Sequence, residues 1–204
     1  MRKLGISIYP GKTTEEELLS YIDKSFEAGF SRIFSCLLSS TEDKEIILKK
    51  FKKVNYYAKE KGFEIILDVN PRVLEDLGIS YDDLTFFKEM GADGIRLDIG
   101  FTGLQESIMT FNKENLKIEI NMSNDTHYID TIMDYRPNKN NLIGCHNFYP
   151  HIHTGLGLDF FKKCTENFTK YGLQTAAFIT SQAKNSFGPK PVTQGLPTLE
   201  MHRN

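Results

Sequence analysis

A chain of 204 residues suits one sizeable domain or two small ones, and 40% apolar with 25% charged residues excludes disorder, collagen and coiled coil. With 27 acids against 25 bases, a formal −2, there is no overall field to hold nucleic acid or an anionic membrane. No apolar run reaches the ~20 residues that span a bilayer, basic Arg2 and Lys3 have no apolar stretch of signal-peptide type behind them, and Cys36, Cys145 and Cys164 are odd in number and far apart. The expectation is a cytoplasmic α/β protein with reduced thiols and with neither nucleic acid nor membrane as partner.

In chain order, a strand near 4–9 leads to Thr14-Glu15-Glu16-Glu17, which has the form of a capping box: a hydroxyl for the orphan amides and acids in the first turn. Leu18, Ile22 and Phe26 give the following helix one apolar stripe, and Gly29 closes it before a strand near 32–38. A second stripe, Ile47, Phe51, Val54 and Ala58, ends at Gly62 before a strand near 63–69. Ser80-Tyr81-Asp82-Asp83 reads as another helix start, closed by Gly91 before a strand near 94–99. Asn115 and Asn141 take the same closing place before strands near 116–122 and 142–147. A last stripe, Phe161, Cys164 and Phe168, ends at Gly172 before a strand near 174–180. Glycine, and next to it asparagine, accept the left-handed backbone that ends a helix, so these six positions share one mechanism.

Their spacings each fit one helix plus one strand, so the chain reads as seven β/α units in series. Such alternation predicts a parallel sheet, and a (β/α)8 TIM-type barrel fits seven units better than the runner-up, a flavodoxin-like open sheet. Barrels of this kind usually take ~250 residues. The expectation is therefore a single barrel domain over residues 1–204, cut short after the seventh strand and lacking the eighth unit. Its first and seventh strands would be open edges, which predicts pairing between chains.

A barrel strand shows alternate residues to the helices and to the axis. Ile65, Leu67 and Val69 should face helices, leaving Glu64, Ile66, Asp68 and Asn70 inside; Ile95, Leu97 and Ile99 likewise leave Arg96 and Asp98. In the fifth strand Ile118, Ile120 and Met122 leave Lys117, Glu119, Asn121 and Ser123. Buried charge is costly unless paired. Glu64, Arg96 and Lys117, low in the barrel, would neutralise one another, whereas Asp68, Asp98 and Glu119 lie nearer the carboxyl ends, where barrel enzymes keep their sites. Arg72, after the Asn70-Pro71 break, would stand at the mouth as an anion clamp. His146 and Asn147 end the sixth strand with opposite parity, so an unbroken strand points only one of them inward.

No metal or cofactor is expected. His151-x-His153 has no matching acid cluster, the cysteines lack paired zinc spacing, and neither GxGxxG nor a P-loop is present. Cys145 beside His146 is discounted as nucleophile and base because neighbours in a strand point opposite ways. After the seventh strand Gly188, Lys190 and Gly195 lie in a proline- and glycine-rich loop where barrels often hold a phosphate.

Leu4-Gly5-Ile6-Ser7-Ile8-Tyr9-Pro10, Arg32 to Leu38, Gly91-Ala92-Asp93-Gly94-Ile95-Arg96-Leu97-Asp98, Glu119 to Asn124, Gly144-Cys145-His146-Asn147-Phe148-Tyr149-Pro150 and Gly195 to Glu200 resemble the 6-phospho-N-acetylmuramidase family, and the likeness runs from residue 4 to the end. That resemblance implies a TIM-type barrel followed by a small C-terminal β-rich domain, and the expectation is that this second domain is absent from the 204 residues. It also implies cytoplasmic cleavage of the disaccharide N-acetylglucosaminyl-N-acetylmuramic acid 6-phosphate, released in peptidoglycan recycling.

Glycoside hydrolysis commonly uses one protonated and one ionised carboxyl. Asp98 and Glu119 are the expected pair, with Asp68 positioning a sugar hydroxyl or replacing one of them. Arg96 lies beside the acids, and Asn121, Asn147 and Tyr149, with His146 at the same mouth, are expected to bind sugar. Retention and inversion both remain open. The rival readings are a sugar-phosphate lyase or aldolase with Lys117 as Schiff base, and a sugar-phosphate sensor that binds without turnover.

Overall fold

The seven expected strands form, and every neighbouring pair is parallel. They are β1 (Gly5–Ile8), β2 (Arg32–Cys36), β3 (Glu64–Val69), β4 (Gly94–Leu97), β5 (Lys117–Asn121), β6 (Leu142–Cys145) and β7 (Gln174–Ala176), found in a computed structural model that describes residues 3–10, 13–37, 43–147 and 156–178. The spatial order is the chain order, β1 through β7. A flavodoxin-like sheet would place the first strand inside the second, so that alternative is excluded. The sheet curls: Phe34 on β2 meets Phe178, just past β7, edge to face with ring centroids 4.8 Å apart. The result is the wall of a (β/α)8 TIM-type barrel that lacks its eighth strand among the described residues, with one edge of β1 and one of β7 unpaired there.

Helices α1 (Glu15–Glu27), α2 (Lys44–Glu60), α3 (Pro71–Asp76), α4 (Thr85–Glu89), α5 (Leu104–Met109), α6 (Tyr128–Asp134) and α7 (Leu158–Thr169) fill the connections. Thr14 and Glu17 close the expected capping box on α1. Ser80 does not start a helix; α4 begins at Thr85 with Leu84 as its N-cap, and the Asp83 carboxylate accepts the Thr85 N–H at 3.1 Å. Gly29, Gly62, Gly91 and Gly172 (φ 75 to 88) and Asn115 (φ 57) are left-handed as expected. Asn141 is not. The left-handed residue after α6 is Arg136 (φ 52), and Asn141 ends a 3-10 turn with its amide donating to the Thr110 carbonyl at 3.0 Å.

Ile33, Ile65, Leu67, Ile95, Leu97 and Ile118 are fully buried and pack with Ile22, Phe51, Val54 and Ala58 of the helices in one core. Full burial of each large side chain contributes about 1.5–3 kcal/mol. At Gly144 the layers touch most closely: a Cβ there would fall 2.6 Å from the Phe168 ring of α7. Two apolar assignments are corrected. Phe26 is half exposed while Ser25 is buried, and Ile99, beyond the end of β4, is 63% exposed rather than facing a helix.

Candidate active site

Arg96 is the hub of the barrel interior. It points inward from β4 and is almost completely buried. Its Nη1 donates to Asp68 Oδ1 at 2.7 Å and to Asp98 Oδ1 at 3.1 Å, and its Nη2 donates to Asn147 Oδ1 at 3.0 Å. Nε lies 3.9 Å from Glu119 Oε1 and has no hydrogen-bond acceptor among the described residues. Burial works against the guanidinium charge, but Asp68 and Glu119 outweigh it and hold Arg96 firmly protonated. Since one nitrogen contacts both aspartates, their facing oxygens are no further apart than those two contacts laid end to end.

The two aspartates differ in setting. Asp68 on β3 is buried, and burial, reinforced by the charge of Asp98, pushes its carboxyl up to about 6 against the pull of Arg96. Asp98, one residue past β4, has its side chain 28% exposed. Its N–H donates to the Val69 carbonyl at 3.0 Å, and its own carbonyl accepts from Asn121 Nδ2 at 3.1 Å. Beside it opens a hollow of about 350 Å³, whose lining includes Ile99, Phe101, Asn121, Asn124 and Tyr128.

Glu119 has a different environment. It lies between two cations, bonded by Arg32 Nη2 and close to Arg96, with 2% of its side chain exposed. Arg32 also reaches Glu64 at 3.8 Å, and Lys3 reaches Glu64 at 3.2 Å. The expected Glu64–Arg96–Lys117 neutralisation is therefore replaced by a Glu64–Arg32–Glu119 ladder. Lys117 instead donates to the Asn140 carbonyl at 2.5 Å, at the amino end of β5 and away from the mouth. That position gives the Schiff-base reading no nucleophile beside Asp98.

The sixth strand resolves its parity in favour of Asn147. His146 faces α7, with Nε2 3.0 Å from Thr165 Oγ1 and its ring stacked on Phe161 at 3.9 Å, so it lies behind the sheet and not at the mouth. Cys145 faces inward, where burial and then the Glu119 charge push its thiol well above the ordinary range, against a nucleophilic role. Arg72 is 86% exposed and pairs with Asp76 along α3 at 3.6 Å, apart from the cluster, because Pro71 starts a helix that carries it outward. Tyr149, His151, His153, Gly188, Lys190 and Gly195 lie outside the described residues. Among the described residues no three His, Cys, Asp or Glu side chains gather to hold a metal ion, and no helix is long and apolar enough to cross a membrane.

Three inward groups were not singled out from sequence. Arg32 completes the lower ladder, the Cys36 thiol lies 3.7 Å from Asp68 Oδ2, and the Tyr9 phenol is raised to about 12 by burial and the nearby Cys36 and Asp68. The alternation argument used for strands three to five selects all three when extended to the first two strands.

Residues 4–204 match the family model for the N-terminal region of 6-phospho-N-acetylmuramidase. The chain belongs to the 6-phospho-N-acetylmuramidase family. Within the solved structures, an uncharacterized B. cereus protein is 51% identical over 100% of this chain, with a TM-score of 0.82. A conserved protein of unknown function from a locus in Enterococcus faecalis is 27% identical over 98% of the chain, with a TM-score of 0.78. This 6-phospho-N-acetylmuramidase-family chain covers 54% of each of those chains. No curated protein matches it.

Proposed function

We propose that this chain carries the catalytic barrel of a glycosidase that cleaves N-acetylmuramic acid 6-phosphate glycosides in cytoplasmic peptidoglycan recycling. The observation that carries the reading is the pair of aspartates on one nitrogen of Arg96, at the carboxyl ends of β3 and β4, with Asp98 lining an open hollow. Family membership supports the reaction class. The pair is Asp68 and Asp98, which share one cation, whereas Glu119 is held between two, Arg32 and Arg96.

Asp68 is the general acid, because burial raises its carboxyl to about 6. It gives its proton to the glycosidic oxygen as the bond to the anomeric carbon breaks. The Asp98 carboxylate attacks that carbon and forms a glycosyl ester. Water then displaces the ester, giving its proton back to Asp68, and Asp98 leaves as a carboxylate. The facing oxygens lie within the sum of a 2.7 and a 3.1 Å contact, short of the ~6.5–9.5 Å that leaves room for an inverting water. The outcome is therefore retention.

The test is turnover of N-acetylglucosaminyl-N-acetylmuramic acid 6-phosphate by the full-length protein, with the first-formed anomer read by NMR. Retained configuration is expected, and Asp98→Asn and Asp68→Asn should each lower kcat by roughly 10²–10⁴-fold. Tight binding without turnover, an inverted product, or full activity in either variant would overturn the assignment.

A further inference from the structure

Glu106 is fully buried in the first turn of α5, and among the described residues no lysine or arginine pairs with it. A buried carboxylate in that position is costly unless hydrogen bonds replace its water. Its two oxygens do different work. Oε2 accepts the Gly103 N–H at 2.7 Å, which is all that capping α5 requires. Oε1 accepts both the Phe101 N–H and the Tyr128 hydroxyl of α6, and neither bond serves the cap.

The loop from Asp98 to Gly103 is shaped to lie against α6. A Cβ at Gly100 would collide with the Tyr128 phenol, and one at Gly103 (φ 101) would fall 2.9 Å from Thr131 Cγ2. Glycine lets the backbone approach this closely. Asp98 opens that loop. The sheet fixes its upstream side through Val69 and Asn121, and the downstream side is tied at Phe101 and Gly103.

We propose that Glu106 is a positioning residue: by pinning the loop between β4 and α5 to Tyr128 it holds Asp98 at the reacting centre and sets the wall of the adjoining hollow. This rests on the assignment of Asp98 above. Glu106 touches neither Asp68 nor Arg96 and acts only through the loop.

The experiment uses Glu106→Gln and Tyr128→Phe in the full-length protein, with amide hydrogen exchange, the Asp98 amide resonance and steady-state kinetics as readouts. In Glu106→Gln the Phe101 and Gly103 amides should exchange about tenfold faster or more, while core amides such as Ile66 and Ile118 hold. The Asp98 resonance should shift, and kcat should fall about tenfold or more with KM nearly unchanged. Tyr128→Phe should move the same readouts less, and it carries the test if Glu106→Gln does not fold. Unchanged exchange at Phe101 and Gly103, or faster exchange with the Asp98 resonance and kcat both intact, overturns the proposal. A wild-type protein without turnover defeats the glycosidase reading, and the exchange rates and the Asp98 resonance then decide this one alone.

Discussion

The lower and upper parts of the barrel interior both set carboxylates against basic groups, glutamates below and aspartates above, in different stoichiometry. Below, Glu64, Arg32 and Glu119 alternate, Lys3 takes the outer side of Glu64, and each charge faces opposite ones. Above, Asp68 and Asp98 share a single nitrogen of Arg96. Burial, with the charge of Asp98 added, displaces Asp68 to about 6 against the pull of the one cation the two aspartates share. The register line Asp68–Arg96–Glu119 runs through both sets, and the acids along it differ in their count of cations, two at Glu119 and one at Asp68.

That contrast can be broken from either side. Glu119→Gln should be the most damaging to stability, by about 3 kcal/mol in chemical denaturation, because it leaves Arg32 short of its main partner in a buried site. A stability unchanged from wild type would mean that the lower ladder contributes no net support. Asp68→Asn should act in the opposite direction. The folded pKa of Asp68 is raised, so its stability contribution is most favourable below the unfolded value near 3.8 and is lost as pH rises through about 6. Replacement by a neutral amide should stabilise the protein by roughly 1–3 kcal/mol at pH 7.5 and by almost nothing at pH 4. Equal unfolding midpoints at both pH values would contradict the buried-acid account. A further effect is on the pH dependence of the rate. With Asp68 as the acid, kcat/KM should fall about tenfold per pH unit above its pKa near 6, and this limb should be missing in Asp68→Asn.

Sequence periodicity exposed the layer in which each side chain lies better than the partner it chooses. Alternation assigns Arg96, Asp68 and Glu119 to the axis, and they are there, but parity is silent on height along a staggered barrel. The acid that Arg96 would take could not be read, nor could Arg32 reaching across to Glu119. Helix stripes have a related limit. Steps of four from Leu18 drift about 80° by Phe26, whereas Ser25, seven residues on, returns to within about 20° of the starting face; Ser25 is the buried one. At Asn141 the residue type was compatible with a helix exit, but Arg136 had already made the turn and the asparagine amide was drawn to Thr110. His146 needed only strict alternation from Cys145 to be placed behind the sheet.

Because every strand pairs with the one just made, the barrel wall has a natural order of assembly during synthesis. Among the described residues no pairing waits for a distant partner: β3, β4 and β5 bring Asp68, Arg96 and Glu119 into register once residue 121 has emerged. Sequential pairing of this kind favours progress from the amino terminus. The acid–arginine contacts of the charged centre can therefore form first, and Asn147, arriving after β6, completes the bonds of Arg96.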